Sequence, residues 1–434
     1  MILEKITDHI GNTPLLRIPR EIHGLQNIEL YAKLEFLNPW GSVKDRTAWA
    51  LLQPHLDELT TKNVIENSSG NTAKALQMIA GMHGSQLKIM TNLIKVSEVK
   101  DILTIIGTNI TELPGTSDCF DPNDPNDPSY YIEREMQDNP GSYLFTEQFL
   151  NQKNQTIHYE TTGMEIARDL PIVDYFIGGV GTAGSTLGVA DRLQEDNPDL
   201  TLLGIVAAKD DFLPGIRTYE ELLGVGLFDP ERYDKTIPIT SDNALDAMAT
   251  LVSKTGLPIG PSTGASYAGA LEYLQQIDTA TDKPRTAVFI ACDRIEWYGS
   301  YIKQRKPEWF GGSKKQTWLT NLEIDENVNL STEETQSLLQ SEHTLIVDLR
   351  QPISFKTARI PNSINLPYEY LNEILNVTNP FCTEQTVVCV CPIGEKSEVL
   401  ASFLRAHGVR AYSVQGGITA WRDDGAPLER DHIH

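Results

Sequence analysis

Basic residues are scarce in this chain: 36 lysines and arginines stand against 59 aspartates and glutamates, a formal net charge of −23 at pH 7. A surface of that sign repels a nucleic-acid backbone and an anionic membrane, so neither is expected as a partner, though a local basic pocket is compatible with it. Long apolar runs are also missing. No stretch approaches the roughly 18 apolar residues that a membrane span needs, because even 174–190 is broken by glycines and hydroxyl residues. The opening MILEKITDHIGNTPLL lacks the basic flank and apolar centre of a secretory signal, which points to a cytoplasmic protein. Cysteines number five (Cys119, Cys292, Cys382, Cys389 and Cys391), too few and too unevenly placed for a disulfide framework. Cys389-Val-Cys391 has the wrong spacing for a zinc knuckle and no histidines stand at ligand spacing, so no metal is expected. The composition is that of a globular protein, and 434 residues exceed what one hydrophobic core usually organises, so two or three cores are expected.

Up to residue 302 short apolar runs alternate with longer helical patterns, the signature of an α/β protein with open, buried sheets. Expected strands are 28–36, 87–91, 175–178, 202–207 and 286–291; expected helices are 43–56, 72–81, 97–106 and 244–255. Glycine-rich stretches sit where such strands hand over to such helices. From 303 to 330 the chain is first basic and punctuated, then acidic without a helical period, and reads as a linker. A smaller α/β pattern occupies 331–434, with expected strands 344–349, 386–390 and 410–414 and a helix over 397–407. The Asp-Pro repeat within 121–131 lacks the ordered oxygen series of a calcium loop and reads as a stiff solvated loop.

Four short segments of the larger part carry chemistry. Asn38-Pro39-Trp40-Gly41-Ser42-Val43-Lys44 places a lysine at a helix start, where the dipole disfavours its charge and leaves an amine suited to a Schiff base. Asn67-Ser68-Ser69-Gly70-Asn71-Thr72 offers hydroxyls, an amide and free backbone N–H groups to a carboxylate. Gly178-Gly179-Val180-Gly181-Thr182-Ala183-Gly184-Ser185-Thr186 ends a strand, and its glycines let the backbone approach a phosphate. A dinucleotide fingerprint is the rival reading, but no acidic ribose partner follows at the right distance. Gly260-Pro261-Ser262-Thr263-Gly264 is a further hydroxyl-bearing turn before a helix.

In this order the four resemble the β-family, or fold-type II, pyridoxal-phosphate enzymes that include cysteine synthase and cystathionine β-synthase. Ile10-Gly11-Asn12-Thr13-Pro14-Leu15 and the run from Gln148-Phe149 to His158-Tyr159-Glu160-Thr161-Thr162-Gly163 extend the likeness over about 1–302. The resemblance implies a two-subdomain fold and pyridoxal 5'-phosphate as cofactor. It implies that Lys44 holds the aldehyde and shuttles the substrate α-proton, and that Asn71 meets the phenolic oxygen. Gly181, Thr182, Ala183, Gly184 and Ser185 would cradle the phosphate; Ser262 would face the pyridine nitrogen; Ser68, Ser69, Asn71, Thr72 and Gln148 would bind the amino acid. A hydroxyl partner does not readily keep the ring nitrogen protonated, which favours β-elimination to an aminoacrylate followed by addition, a ping-pong β-replacement. The chain departs from the family at Ala183 and Ala73, where glycine is usual, and at Ser185 and Ser68, where threonine is common. Pro214-Gly215-Ile216-Arg217 and Cys292-Asp293-Arg294 look like the cysteine synthase B type, which tolerates bulkier acceptors including thiosulfate. Arg217 is expected either to steer an anionic sulfur donor or leaving group or to form an ordinary surface or lid salt bridge, Cys292 to be buried at a strand end, and Trp40 to pack over the pocket.

In the smaller part Val390-Cys391-Pro392-Ile393-Gly394-Glu395-Lys396-Ser397 places a cysteine between a strand and a helix start, where loop N–H groups stabilise a thiolate. With TLIVDLR at 344–350, the segment from Ala358 to Leu366, and Gln415-Gly416-Gly417-Ile418 through Trp421, this resembles a rhodanese, a sulfurtransferase domain. The resemblance implies a persulfide on Cys391 held by the loop Ile393, Gly394, Glu395, Lys396 and Ser397, with Asp348 and Arg350 organising the fold. Lys396 stands where arginine is usual, keeping the charge but not the planar fork. The short loop suits a single sulfur atom.

Together the two resemblances imply a cysteine synthase that takes O-acetylserine or O-phosphoserine and sulfide, thiosulfate or persulfide sulfur, with the second module relaying sulfur through Cys391. They also imply a homodimer through the larger part. Cystathionine β-synthase, or a cysteine desulfhydrase whose sulfur the rhodanese carries away, are the alternatives on the same scaffold. A non-catalytic, partner-binding second domain is the alternative of another class.

Overall fold

The computed structural model describes residues 2–92, 94–113, 128–280, 283–312, 322, 324–340, 344–375 and 378–430. The chain divides into two compact units at residue 312. In the first, the described strands are β1 (Leu15–Arg17), β2 (Ile28–Leu34), β3 (Asn63–Glu66), β4 (Leu87–Thr91), β5 (Asn109–Glu112), β6 (Tyr143–Phe145), β7 (Tyr175–Gly179), β8 (Thr201–Ala207), β9 (Lys235–Ile239) and β10 (Arg285–Ala291). They form a six-stranded sheet of order β1-β2-β10-β7-β8-β9 and a four-stranded sheet of order β5-β4-β3-β6. Only the β1–β2 pair is antiparallel. Parallel strands covered on both faces need side chains that are apolar in both directions. That is why β8 and β10 read TLLGIVA and RTAVFIA and bury nearly every residue.

Helices cover the sheets: α1 (Lys44–Leu52), α2 (Asn71–Met82), α3 (Gly184–Asp196), α4 (Ser241–Thr255) and α5 (Pro261–Ile277). Their ends follow local chemistry. The Thr240 hydroxyl caps α4 by accepting from the Asn243 N–H, and Gly256 ends it with a left-handed φ of 73°. Pro261 opens α5, where no N–H is missed. The chain leaves the six-stranded sheet after β2, builds the four-stranded sheet, and returns at β7. Lys44 lies in that first crossing. The loops after β2, β3 and β7, all at carboxyl ends of parallel strands, hold three of the four segments singled out above, which is where open α/β sheets bind ligands; the fourth, 260–264, instead joins two helices, α4 and α5, and Cys292-Asp293-Arg294 follows β10.

The second unit is a five-stranded parallel sheet of order β11-β15-β14-β12-β13, from β11 (Asn329–Leu330), β12 (Thr344–Asp348), β13 (Ile364–Asn365), β14 (Thr386–Val390) and β15 (Arg410–Val414). Alternate residues of β14 enter two cores: Val387 and Cys389 join Leu400 and Leu404 of α6 (Glu395–Ala406) on one face. Val388 and Val390 join Ile346 and Trp421 on the other, where Trp421 belongs to α7 (Gly417–Asp423).

Expected strands and helices coincide with observed ones apart from frayed ends. The expected helix over 43–56 is shorter, ending at Leu52, because Pro54 follows in a 3-10 turn. Most of the Asp-Pro repeat lies outside the described residues, but its end is no loop: Pro128 starts a helix through Asp138 whose Ile132 is buried. The segment expected as linker carries structure at both ends. Residues 303–305 finish a helix begun at Gly299, and Lys306 pairs with Asp242 and Asp246 of α4. At the other end Asn329 and Leu330 form the edge strand of the second sheet and Val328 is fully buried. Among the described residues no helix is long and apolar enough to cross a membrane. Leu203, fully buried in the middle of β8, is expected to cost about 2–5 kcal/mol when changed to alanine, read from urea unfolding of the first unit.

Candidate active sites

Lys44 is set by the turn before it. The Asp45 carboxyl accepts from the Trp40 N–H at 2.6 Å and the Ser42 hydroxyl at 3.1 Å, and Gly41 takes a left-handed φ of 83°. The Val43 N–H donates to the Cys292 carbonyl at 2.9 Å, and Ser42 bridges Asp293, so the turn is tied to the end of β10. The Lys44 side chain keeps some accessible surface although its amine is surrounded by protein. Burial lowers its pKa, partly offset by Cys292 and Asp293. Among the described residues this amine has no hydrogen bond and no ion pair. Trp40 packs against the core of the four-stranded sheet.

Two residues along α1, Arg46 anchors the helix. Its guanidinium meets Glu35 through Nε at 2.7 Å and Nη2 at 2.8 Å, and Glu165 through Nη1 at 2.6 Å and Nη2 at 2.7 Å. Lys33 adds a bond to Glu165 at 2.7 Å, and the Asn12 N–H another at 2.9 Å. Thr13 donates to Glu35. The Ile10–Leu15 segment is therefore a strap over a buried charge cluster. Gly11 must be glycine there, because its φ is 91° and a Cβ would lie 2.7 Å from the Arg46 guanidinium.

A second connection runs from α1 to the glycine loop. The Thr47 hydroxyl donates to Asn154 Oδ1 at 3.0 Å, and Asn154 Nδ2 donates to the Thr182 hydroxyl at 2.9 Å and to the Gln148 carbonyl at 2.8 Å. Asn154 presses so closely on Gly184 that a Cβ would lie 2.4 Å from its Oδ1. At Gly181 a Cβ would lie 2.5 Å from the Gly215 carbonyl. That second contact brings the Pro214–Arg217 segment onto the loop, where the Arg217 N–H donates to the Val180 carbonyl at 3.0 Å. Ala183 caps α3 with a left-handed φ of 65°. A non-glycine residue there costs about 1–2 kcal/mol. Ser185 is buried in the first turn of α3, which holds no acidic residue.

The serine-rich loop is organised around buried polar groups. Burial raises the Glu66 carboxyl to about 7, against hydrogen bonds from Thr146 and the N–H groups of Gln148 and Asn67. Gln148 accepts from the Thr72 hydroxyl at 2.8 Å and donates to the Asn67 carbonyl at 2.8 Å. Ser68 is used as a cap, accepting from the Ala73 N–H at 3.1 Å, while Ser69 is exposed. Asn71 donates to Asp293 at 2.6 Å, Ser262 lies 3.5 Å from the same carboxyl, and Tyr298 donates to it as well. Burial raises the Asp293 pKa. Asp293 thus joins the residue expected at the cofactor's phenolic oxygen and the one expected at its ring nitrogen, a role that its place in Cys292-Asp293-Arg294 did not disclose. Cys292, expected to be buried, is half-buried instead, since the strand ends at Ala291; burial of the thiol still pushes its pKa up to about 12. The Arg217 guanidinium stacks 4.8 Å over Phe149, next to Gln148.

In the second unit Cys391 follows β14 and is almost fully buried. Its Sγ accepts from the Gly394 N–H at 3.2 Å and from the Ser397 hydroxyl at 3.5 Å. Ser397 is anchored in turn on the Gly394 carbonyl at 2.9 Å and Ser413 at 2.8 Å. Gly394 precedes α6 with φ 101°, a conformation that turns its N–H into the loop. Gly417 closes over Cys391, where a Cβ would meet its carbonyl at 2.2 Å. Ile393 is exposed, and Lys396 lies 4.9 Å over the Tyr368 ring. Asp348 and Arg350 pair in a buried fork at 2.6 Å that also reaches the Ala358 carbonyl at 2.6 Å, an organising role.

Comparison with known families decides what this arrangement belongs to. Residues 6–293 match the family described as "Pyridoxal-phosphate dependent enzyme", and residues 331–424 match "Rhodanese-like domain". The chain is a fold-type II pyridoxal-phosphate enzyme with a rhodanese-like domain. Its first unit is similar to "Cysteine synthase B" of Pseudomonas aeruginosa, 30% identical over 303 residues, covering 68% of this chain and 95% of that protein. Among solved structures it is similar to a hydrogen sulfide-producing enzyme from Fusobacterium nucleatum, with TM-score 0.60 and 29% identity, covering 68% and 100% of the two chains. It is also similar to an O-acetylserine dependent cystathionine beta-synthase from Helicobacter pylori, with TM-score 0.58 and 25% identity, covering 69% and 98%.

Pyridoxal phosphate is the cofactor of this enzyme family, and the residues present fit it. An amine without a competing partner stands at the crossing between the sheets. The N-terminus of α3 presents a loop whose two tightest positions are glycine and whose first turn carries no negative charge.

The Arg46 cluster yields two predictions for this pyridoxal-phosphate enzyme. Arg46→Met leaves Glu35 and Glu165 buried and short of a partner, and is expected to cost about 3–5 kcal/mol in denaturant unfolding. Burial alone would raise the Glu165 pKa from its ordinary 4.5, but Arg46 and Lys33 hold it down at about 2. The stabilisation from this depressed carboxylate is full above about 4.5 and is lost as pH falls through 4.5 towards 2. Acid unfolding should show that loss in the parent and a flatter profile in Glu165→Gln.

Proposed function

We propose that the first unit makes L-cysteine from an O-activated L-serine by β-replacement, and that the second supplies sulfur carried on Cys391. The observation that supports this most directly is the Lys44 amine, which is surrounded by protein, has a lowered pKa and has no hydrogen bond or ion pair among the described residues. Bound pyridoxal phosphate supplies an electron sink that acidifies the substrate Cα–H.

The chain's own groups do the rest. Gly181, Thr182, Ala183, Gly184 and Ser185 would hold the phosphate with backbone N–H groups and hydroxyls, and Ser262 would meet the pyridine nitrogen. Asn71, held by Asp293, would orient the ring. Ser69, Thr72 and Gln148, with Ser68 securing the start of α2, hold the substrate carboxylate. Lys44 accepts the Cα proton and returns it, work that needs an amine near neutrality and not a fully solvated ammonium. Arg217, stacked near Gln148 and backed onto the glycine loop, attracts the anionic leaving group or sulfur donor. In the second unit the Gly394 N–H and the Ser397 hydroxyl stabilise charge on Cys391 Sγ, which attacks the outer sulfur of thiosulfate and expels sulfite; two equivalents of a small thiol then reduce the persulfide, leaving as a disulfide and releasing hydrosulfide for addition in the first unit. Tethering of the two units raises the local concentration of that sulfur. A homodimer through the first unit belongs to the same reading.

The purified protein should be yellow. Lys44→Ala should remove the visible absorbance and lower L-cysteine formation from O-acetylserine and sulfide by about 10²–10⁴-fold. Cys391→Ser should lose cysteine formation from thiosulfate and a small thiol as reductant while keeping it from sulfide; equal thiosulfate rates in parent and variant would overturn the relay. The likeness to a hydrogen sulfide-producing enzyme favours a second reading, release of sulfide from L-cysteine, which sulfide measurement with cysteine as sole substrate tests.

A further inference from the structure

β15 reads RAYSV, and its register sets Ser413 beside Cys389, whose side chain joins the core under α6. A hydroxyl in such a strand costs stability unless it is hydrogen-bonded. Ser413 is fully buried; its hydroxyl lies 2.8 Å from that of Ser397, also fully buried, and 3.5 Å from the Gly394 carbonyl. Ser397 in turn lies 2.9 Å from the same carbonyl and 3.5 Å from Cys391 Sγ. Two hydroxyls from different elements are thus gathered around one carbonyl and one sulfur.

A hydroxyl has one proton to give and two lone pairs with which to receive. The Ser397 proton therefore goes either to the Gly394 carbonyl or to the sulfur, not fully to both. Ser413 biases that choice. If its own proton goes to the Ser397 oxygen, Ser397 becomes the stronger donor, because linked hydrogen bonds polarise one another; if it goes to the Gly394 carbonyl, the competing acceptor is occupied. Either way the Ser397 proton is directed to Sγ, which already accepts from the Gly394 N–H at 3.2 Å. When Cys391 is a neutral thiol the pair can run in the opposite sense, Ser397 donating to Ser413. A change of charge on the sulfur is then met by rotation of two hydroxyls, with no movement of heavier atoms.

We propose that Ser413 is a positioning residue that acts through Ser397 to favour the thiolate of Cys391 over the thiol. The thiolate is the form that attacks a sulfane sulfur, so the use of this device rests on the reading of Cys391 as a sulfur carrier, whereas the device itself does not. The ionisable groups on the elements around the sulfur are Cys389 on β14, the Asp348–Arg350 pair after β12, Arg410 and Tyr412 on β15, and Glu395, Lys396 and Glu398 on α6; the first turn of α7 has no acid. Ser413→Ala alters none of these charges.

Thiolate absorbance in the ultraviolet, taken over pH as the difference between the full chain and Cys391→Ser, isolates this sulfur from the other cysteines and from the cofactor. The same difference on a Ser413→Ala background should titrate about one pH unit higher, the effect of weakening one hydrogen bond to a charged group. Ser413→Thr, which keeps the hydroxyl on a residue that strands favour, should titrate with the parent. Circular dichroism and unchanged cysteine formation from sulfide check that each variant is folded. Sulfite released from thiosulfate in a single turnover should be about tenfold slower in Ser413→Ala below both midpoints, and at least as fast as in the parent above them. A merely structural role would lower the rate at every pH and leave the midpoint in place. An unmoved midpoint in Ser413→Ala overturns the proposal, as does a midpoint that rises as far in Ser413→Thr as in Ser413→Ala. If the parent releases no sulfite while the midpoint still moves, the sulfur-carrier reading of Cys391 fails and the effect of Ser413 on its charge stands.

Discussion

The geometry of the larger unit depends on one buried guanidinium. Arg46 grips Glu35 at the end of β2 and Glu165 far along the chain, and Lys33, Thr13 and the Asn12 N–H complete the cluster. An ion cluster of this kind contributes less net stability than its bond count suggests, because each charge must leave water. What it supplies is register. Glu35 and Glu165 leave Arg46 little freedom, and Lys44 stands two residues before it on the same helix, so the reactive amine inherits the position of the clamp.

From that fixed point, contacts spread to the other segments of the candidate site. Thr47 reaches the glycine loop through Asn154, Ser42 and Val43 reach the end of β10, and Asp293 passes the connection on to Asn71 and Ser262. Close packing makes the glycines at 181 and 184 obligatory, since each leaves no room for a single carbon. The two units use a common device for negative charge. Ala183 and Gly394 each adopt a left-handed conformation immediately before a helix, which bends the chain so that backbone N–H groups face one point. In the second unit that point is a sulfur atom already in contact with the Gly394 N–H.

Much of this was legible in the residues. The apolar runs of β4, β8, β10, β12, β14 and β15 stand out because strands buried on both faces leave few alternatives to valine, isoleucine, leucine and alanine. The lysine turn, the glycine loop and the cysteine loop were legible for a related reason: each is a contiguous piece of chain whose chemistry is local. Less legible were residues whose role comes from partners far away in sequence. Asn154 looks like a surface amide until Thr47 and Thr182 are seen on either side of it. Asp293 looks like a strand-end acid until Asn71, Ser262 and Tyr298 converge on it. Ser413 looks like a chance hydroxyl in an apolar strand until Ser397 is seen beside it.

By itself the sequence determined the class of chemistry and the order of elements, because both are written in short contiguous stretches: a lysine before a helix, small residues where backbone must approach an anion, a cysteine in a tight loop, and apolar runs of strand length. Tertiary structure alone decided which charges face one another. Whether a lysine is a solvated cation, a clamped one such as Lys33 or a free amine such as Lys44 depends on what the fold brings within a few ångströms. Electrostatic energy in a dry interior depends steeply on that distance, and position along the chain does not report it.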